Sequence, residues 1–246
     1  MAIWNKDTQS YLANNKTLFE AVVVAPFVSA GLPAGQEHIN KFGHCGTDHN
    51  GAATIWDGNG TTAIYPYPAA GVVTMTSTSG TDTGAEVEIQ GLDGDYNQIT
   101  ENVNIGSTGT TTFSRIFRAR MTTVSNVGVV TINQGSNLAA QILAGNGQTL
   151  MAIYTIPAGK TGYFLKFQGT VDKANVEMSY KIFARPFGGT FNIKGMFSTQ
   201  GGNPITYDYP IPLVFTEKTD IRIDAISSAA AGAGATFDLI LVDNQA

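Results

Sequence analysis

The chain has few of the residues that build cross-linked or metal-held structures. Cys45 is the single cysteine and there are only three histidines among 246 residues. A disulfide within the chain is therefore excluded. Such sparse use of cysteine is typical of proteins that fold in a reducing cytoplasm.

Charged residues are also scarce, at 13% of the chain, against about a quarter in average soluble proteins. The formal net charge is −5. The densest basic group consists of Arg115, Arg118 and Arg120, which is too small to neutralise a run of phosphates. Nucleic acid is therefore not an expected partner.

Long apolar runs are absent as well. The apolar stretch at residues 21–28 follows no basic segment, unlike the core of a signal peptide. It is also far shorter than the roughly 20 residues that a membrane-spanning helix needs. We therefore expect no membrane partner.

The sequence lacks recognisable catalytic motifs, so we expect no enzyme activity and no cofactor. It contains no Gly-x-Ser-x-Gly elbow, P-loop or dinucleotide fingerprint. Glycoside hydrolysis would need a pair of carboxylates, and the available acids lie on a predicted hairpin, where solubilising charges are the simpler interpretation. These acids are Glu86, Glu88, Asp93, Asp95 and Glu101.

What the chain does have is glycine, at 28 residues, and many short segments of β-forming residues. Segments of this length, separated by turns and without helical spacing, predict an all-β fold with two β-sandwich or jelly-roll-like units and an irregular N-terminal arm. We predict an arm and loop region at residues 1–60, a first unit at 61–145 and a second at 146–246. Residues 34–60 and 228–235 are expected to be loops.

The individual strands are predicted from alternation and turn signals. Residues 85–105 form the clearest hairpin, and the continuously apolar Leu239–Val242 predicts a central strand. The predicted strands are residues 21–28, 72–76, 85–90, 98–105, 113–121, 124–132, 150–156, 161–168, 176–184, 189–196, 205–209, 211–215, 220–227 and 235–242.

One candidate metal site is the cluster of His38, His44, Cys45 and His49. Imidazole and thiolate are the ligands that Zn²⁺ prefers. The spacing fits no standard zinc motif, because adjacent residues such as His44 and Cys45 point apart in an extended chain. The alternative is a polar loop whose histidines form hydrogen bonds or face a neighbouring subunit.

A second candidate is Asp93, Asp95 and Asn97, which resemble the first half of a calcium-binding loop. Gln98 stands where that loop needs glycine, so a hairpin turn is the competing interpretation. Sugar stacking by aromatic rings is a third hypothesis. Its candidates are Trp56, Tyr65, Tyr67 and Tyr96.

Several segments resemble, as a set, a family of uncharacterised tailed-bacteriophage virion structural proteins of the marine phage and cyanophage type. They recur in the same order in that family. They are IPAGKTGY at residues 156–163, RPFGG at 185–189, EKTDIRI at 217–223 and FDLILVDN at 237–244, with further similarity at Gly91–Asn97 and Phe113–Arg118.

The resemblance implies a structural role in the virion, which is assembled in the host cytoplasm. We favour a capsid-surface decoration or fibre-like protein that binds other virion proteins and forms a homo-oligomer such as a trimer, with residues 1–50 as the docking arm. A tail adaptor, nozzle or fibre tip and a host-glycan binding module are the alternatives. The sequence leaves open the position in the particle, the oligomeric state and the receptor.

Overall fold

The computed structural model describes Val28, Gly31, residues 34–46 and residues 51–244. Its regular elements are one 3-10 helix, η1 (Gly80–Asp82), and fifteen strands. The strands are β1 (Gln36–Cys45), β2 (Gly51–Thr54), β3 (Val73–Ser77), β4 (Glu86–Leu92), β5 (Gln98–Asn104), β6 (Arg115–Met121), β7 (Val130–Gln134), β8 (Asn137–Ile142), β9 (Ile153–Thr155), β10 (Lys160–Val171), β11 (Glu177–Arg185), β12 (Asn192–Gln200), β13 (Ile205–Phe215), β14 (Asp220–Ser227) and β15 (Ala233–Asp243). The all-β prediction is confirmed.

The larger unit is a sandwich of two antiparallel sheets. One sheet has the order β1-β15-β10-β13, and the other has the order β12-β11-β14-β2, with β9 also paired to β14. Alternate residues of these strands point inward and form one apolar core. Phe164 and Phe237 stack at its centre with 5.2 Å between ring centroids, and Tyr180 and Ile223 are fully buried beside them.

The smaller unit contains two three-stranded sheets, β3-β7-β8 and β5-β4-β6. Its separate core includes Met75, Ile89 and Ile132, each of which is at most 1% exposed. Tyr65 lies in this core, where its hydroxyl donates to the carbonyl oxygens of Ile116 and Ala139 at 3.3 and 3.1 Å. The buried phenol is therefore satisfied, as burial of a polar group requires.

The smaller unit is inserted into the larger one between β2 and β9. The outgoing and returning segments run side by side, since the Ala152 amide donates to Ile55 at 2.9 Å and the Asp57 amide donates to Leu150 at 3.0 Å. The larger sandwich is therefore built from two separate stretches of sequence.

Residues 34–60, expected to be loop, contain two strands of the larger sandwich. β1 pairs with β15 along its whole length, and β2 pairs with β14. The loop prediction is wrong here because the pattern of β1 hides its strand character: Glu37 and Lys41 stand at inward positions where alternation would place apolar residues. The division of the chain into domains at residues 60 and 145 stays a prediction. β1 and β2, which precede residue 60, pair with strands from the C-terminal half of the chain.

Most of the other strand predictions agree with the structure. The hairpin of β4 and β5 is confirmed, as is the central position of β15 between β1 and β10. The segments 205–209 and 211–215 form the single strand β13, β7 begins at Val130 rather than residue 124, and β8 was not predicted. The predicted strand at 21–28 and most of the predicted N-terminal arm lie outside the described residues. Within the described part of the chain, no helix has the length and apolar character to cross a membrane.

Candidate functional site

The candidate zinc residues in the described chain are divided between the two faces of β1. His38 lies on the outer face, with its Nε2 atom 3.0 Å from the Asp238 carboxylate. Cys45 faces the core, where burial raises the pKa of its thiol to about 11 and its Sγ lies 3.6 Å from the Ala233 carbonyl oxygen. His44 lies on the opposite side of the strand from Cys45, and His49 lies outside the described residues. Across residues 34–46 and 51–244, no three His, Cys, Asp or Glu side chains are grouped to hold a metal ion.

Asp93, Asp95 and Asn97 form the turn between β4 and β5. One oxygen of the Asp93 carboxylate accepts from the backbone amides of Asp95 and Asn97, both at 2.9 Å, and the other accepts from the Asn97 side chain at 3.2 Å. These hydrogen bonds, led by the Asn97 amide, lower the pKa of Asp93. The carboxylate is therefore used by its own turn.

The acids considered for hydrolysis also have local partners. Glu88 pairs with Arg120 at 2.8 Å, and this contact, with further hydrogen bonds, lowers its pKa. Glu86 accepts from Asn102 and Thr122 at 3.1 Å. Glu101 accepts from the amide of Thr110 at 2.6 Å. These contacts fix the ends of the smaller sheets.

The aromatic candidates do not form one surface. Trp56 and Tyr65 are 0% and 2% exposed, so they belong to the core and are not available to stack on a sugar. Tyr67 and Tyr96 lie on either side of the Arg115 guanidinium, each ring centroid 5.5 Å from its Cζ atom. Both rings contact Arg115, which pairs with the buried carboxylate of Asp220.

The Asp220 cluster joins segments that the sequence marks separately. Asp220 is 2% exposed and accepts from Arg115 at 2.7 Å, Arg185 at 2.9 Å and the Thr155 hydroxyl at 2.7 Å. These partners come from β6, β11 and β9, so the cluster ties the smaller unit to the larger one. The motifs around Phe113–Arg118, RPFGG and EKTDIRI thus meet at one carboxylate.

Aromatic rings extend this cluster. The Tyr67 and Phe191 rings are in contact, with centroids 5.2 Å apart, and the Arg185 guanidinium lies against both, at 4.7 and 4.5 Å from their centroids. The Arg222 guanidinium also lies 4.2 Å from the Phe191 centroid. Cation–π contacts of desolvated groups are worth about 2 kcal/mol. The cluster is a structural clamp, and sequence reasoning missed it because its members are far apart in the chain.

Several of the exposed large apolar residues in the described chain lie on β12 and β13, and we call the surface formed by these two strands the β12–β13 edge. Both strands end their sheets. Ile193, Met196, Ile211 and Val214 are 50%, 58%, 71% and 52% exposed. Only Lys194 and Asp208 are charged between residues 192 and 215. Clustered exposed apolar residues of this kind mark interaction surfaces.

The two strands of the edge face each other in a defined register. The Phe197 and Tyr207 rings lie 5.1 Å apart, and a Cβ on Gly195 would lie 2.8 Å from the Tyr209 hydroxyl. The β11–β12 ladder shifts register between Gly195 and Ile193, since Gly195 pairs with the buried Ile182 and Ile193 with Phe183. Ile193 and Met196 therefore lie on the outer face of their sheet, whereas Phe197 points toward the core.

The edge favours contact through side chains over addition of another strand to β13. Pro210 and Pro212 stand in that strand, and proline has no backbone donor to offer an incoming strand. β12 contains no proline, so it retains the free backbone groups of an edge strand.

A separate cleft of about 380 Å³ lies between the inner face of β1 and the smaller unit. β1 contributes Glu37, Ile39 and Lys41, and Tyr154 of β9 lies at the back of the cleft. The polar floor comes from the sheet β5-β4-β6, where Thr100, Gln90 and Arg118 are neighbours across three strands.

Comparison with known proteins adds no assignment. No protein-family model matches the chain. No curated protein matches it significantly. Among solved structures, it has weak similarity to the structure of the Gx strain of infectious bursal disease virus, with 10% identity, 86% of this chain and 76% of that chain covered, and a TM-score of 0.21. The VP2 subviral particle of the same virus gives 10% identity, coverages of 93% and 82%, and a TM-score of 0.19. TM-scores this low do not establish a shared fold.

Proposed function

We propose that this chain is a structural protein of a tailed-phage particle and that it associates with other virion proteins, including copies of itself, through the β12–β13 edge. The observation that carries the proposal is the cluster of exposed apolar side chains on two edge strands with almost no charge. The motif resemblance supplies the virion context. The proposed role is non-enzymatic and requires no cofactor.

The energetics of the edge suit assembly. Burying apolar surface contributes about 25 cal/mol per Å² before the cost of association. Stable specific interfaces bury about 1,200–2,000 Å² in total. The exposed apolar residues of the edge are distributed over strands of nine and eleven residues, with Ile193 and Met196 on the outer face of one sheet and Val214 on the outer face of the other. A partner that contacts the edge can therefore reach both sheets.

The rigid scaffold supports the same role. Two apolar cores are held together by the buried Asp220 cluster, so the edge strands are displayed on a fixed framework. Within this proposal, a capsid-surface decoration or fibre-like position is favoured, and a tail adaptor, nozzle or fibre tip is the second candidate. Closed cyclic symmetry, such as a trimer, would satisfy the edge of every copy.

The test is quantitative mass spectrometry of gradient-purified particles of the phage that encodes the chain, with copies counted relative to the major capsid protein. Hundreds of copies per particle are expected for a decoration protein. About 3 to 12 copies would move the protein to the tail, where ring symmetry sets the number. Absence from purified particles would overturn the virion proposal.

A further inference from the structure

The cleft between β1 and the smaller unit brings two basic groups together, neither of them in contact with a carboxylate, and Glu37 also lines the cleft. Lys41 is 4% exposed, and its Nζ atom donates to the carbonyl oxygen of Phe117. The Arg118 guanidinium donates to the carbonyl oxygen of Asn40 at 3.3 Å. Among the described residues, neither group has a carboxylate within 4.0 Å.

A buried cation without a counter-ion is costly. Burial, followed by repulsion from Arg118, lowers the pKa of Lys41 well below its usual range. Elsewhere in the chain a buried carboxylate pairs with a basic group, as Asp220 does with Arg115. Lys41 and Arg118 have no such partner. An incoming anion would pair with both groups and relieve the penalty.

The remaining lining resembles a sugar site. Gln90, Gln98 and Thr100 offer neutral polar groups from two neighbouring strands. The Gln90 side-chain nitrogen donates to Glu88 at 2.8 Å. The Gln98 side-chain nitrogen donates to the Tyr154 hydroxyl and the Glu37 carboxylate over 3.5 Å, and hydrogen bonds this long are weak enough for a ligand to replace. The Phe117 and Tyr154 rings, 4.8 Å apart, form the apolar wall.

We propose that this cleft binds a monosaccharide carrying an acidic group, with Lys41 and Arg118 holding the acid and Gln90, Gln98 and Thr100 holding the hydroxyls. The volume of about 380 Å³ lies at the lower end of the range for small-ligand sites. The binding requires only the folded chain, so it is independent of the proposed virion role and of the β12–β13 edge.

The test is isothermal titration of the purified full chain with glucuronate, galacturonate and glucose 6-phosphate, with glucose and inorganic phosphate as separate probes. We expect saturable binding of at least one acidic sugar below about 10 mM and at least about tenfold weaker binding of glucose and of phosphate. Equal binding of phosphate would overturn the sugar assignment, because it would show a simple anion site. No saturable binding of any acidic sugar would overturn the proposal.

Two variants locate the binding. Arg118→Gln and Lys41→Met should each weaken the acidic sugar by about tenfold or more, and Lys41→Met removes a buried charge without opening a cavity. Lys166→Gln is the control that removes one positive charge elsewhere, because Lys166 pairs with Asp208 and does not line the cleft. Circular dichroism checks that all three variants fold. Unchanged affinity in both cleft variants would place the binding elsewhere and refute the assignment.

Discussion

At the scale of single residues, two buried acids differ in how many hydrogen-bond partners their carboxylate oxygens have. Asp220 is held by two arginines and a threonine. Asp57 is 5% exposed, and only one of its carboxylate oxygens is used, as acceptor from the Leu150 amide at 2.7 Å. Its other oxygen is buried without a hydrogen-bond partner. The two acids should therefore respond differently to pH.

Asp57 makes the folded state less stable as pH rises. Burial raises its pKa to about 7 in the folded chain, against the opposing hydrogen bond from Leu150, whereas the unfolded value is about 3.9. Between these values the folded state holds a proton that the unfolded state releases, so the free energy of unfolding falls as pH rises through this window. Above pH 7 the cost is fully present.

Asp57→Asn should therefore stabilise the protein by up to about 4 kcal/mol at pH 8 and by much less near pH 4, because the amide resembles the protonated acid. Urea unfolding at several pH values measures the difference. Asp93→Asn is a contrasting control, since hydrogen bonds lower the pKa of Asp93. A gain from Asp57→Asn that is equal at pH 4 and pH 8 would contradict the assigned titration.

At the scale of elements, close backbone approach fixes β1 against the returning segment. A Cβ atom on Gly43 would lie 2.4 Å from the Ala152 nitrogen and 2.5 Å from the Ile55 carbonyl oxygen. Neither backbone atom can move without breaking the pairing between these segments. Gly43→Ala should destabilise the fold by about 2 kcal/mol or more.

Denaturant unfolding of Gly43→Ala tests this close contact. Gly60→Ala is the matched control, because a Cβ at that position would have no atom within 4 Å. The control should change stability little. Equal effects of the two substitutions would show that the segments do not approach as closely as described.

The same elements show what the sequence can and cannot predict. β4, β5, β10 and β14 are predicted because their own alternation records which face is buried. β1 and β2 are not predicted because their own sequences lack a clear apolar alternation, and they become strands by pairing with β15 and β14. Lys41 stands inward in β1 because the surface it faces is a polar cleft. A single sequence does not reveal that distant partner.

At the scale of the whole molecule, the smaller unit is inserted between two stretches of the larger sandwich. The chain leaves the larger sandwich after β2, forms the smaller unit and returns at β9. Local patterns predict strands in order but not which distant strands pair, so they do not reveal that β1 and β2 belong to the larger sandwich. The Asp220 cluster combines residues from β6, β9, β11 and β14, which are far apart in the sequence, so it is not visible before folding.

The β12–β13 edge predicts that the whole molecule self-associates. Replacing Ile193 and Ile211 with lysine adds one charge to each strand of the edge at an exposed apolar position, where burial without a partner is unfavourable. We expect the purified wild-type chain to form a closed oligomer at micromolar concentration, and the double variant to be monomeric at the same concentration. Sedimentation velocity measures the oligomeric state, and circular dichroism confirms that the sandwich is intact.

The matched control replaces Val124 and Val127 with lysine. These residues are 62% and 61% exposed, but they lie in the loop before β7, outside the edge surface, so the same added charge should leave the oligomer unchanged. If both double variants dissociate, net charge rather than the edge controls assembly. If the wild-type chain is monomeric throughout the concentration range, the edge does not join copies of this chain, because a patch of exposed apolar residues that drives self-association must do so without other virion proteins.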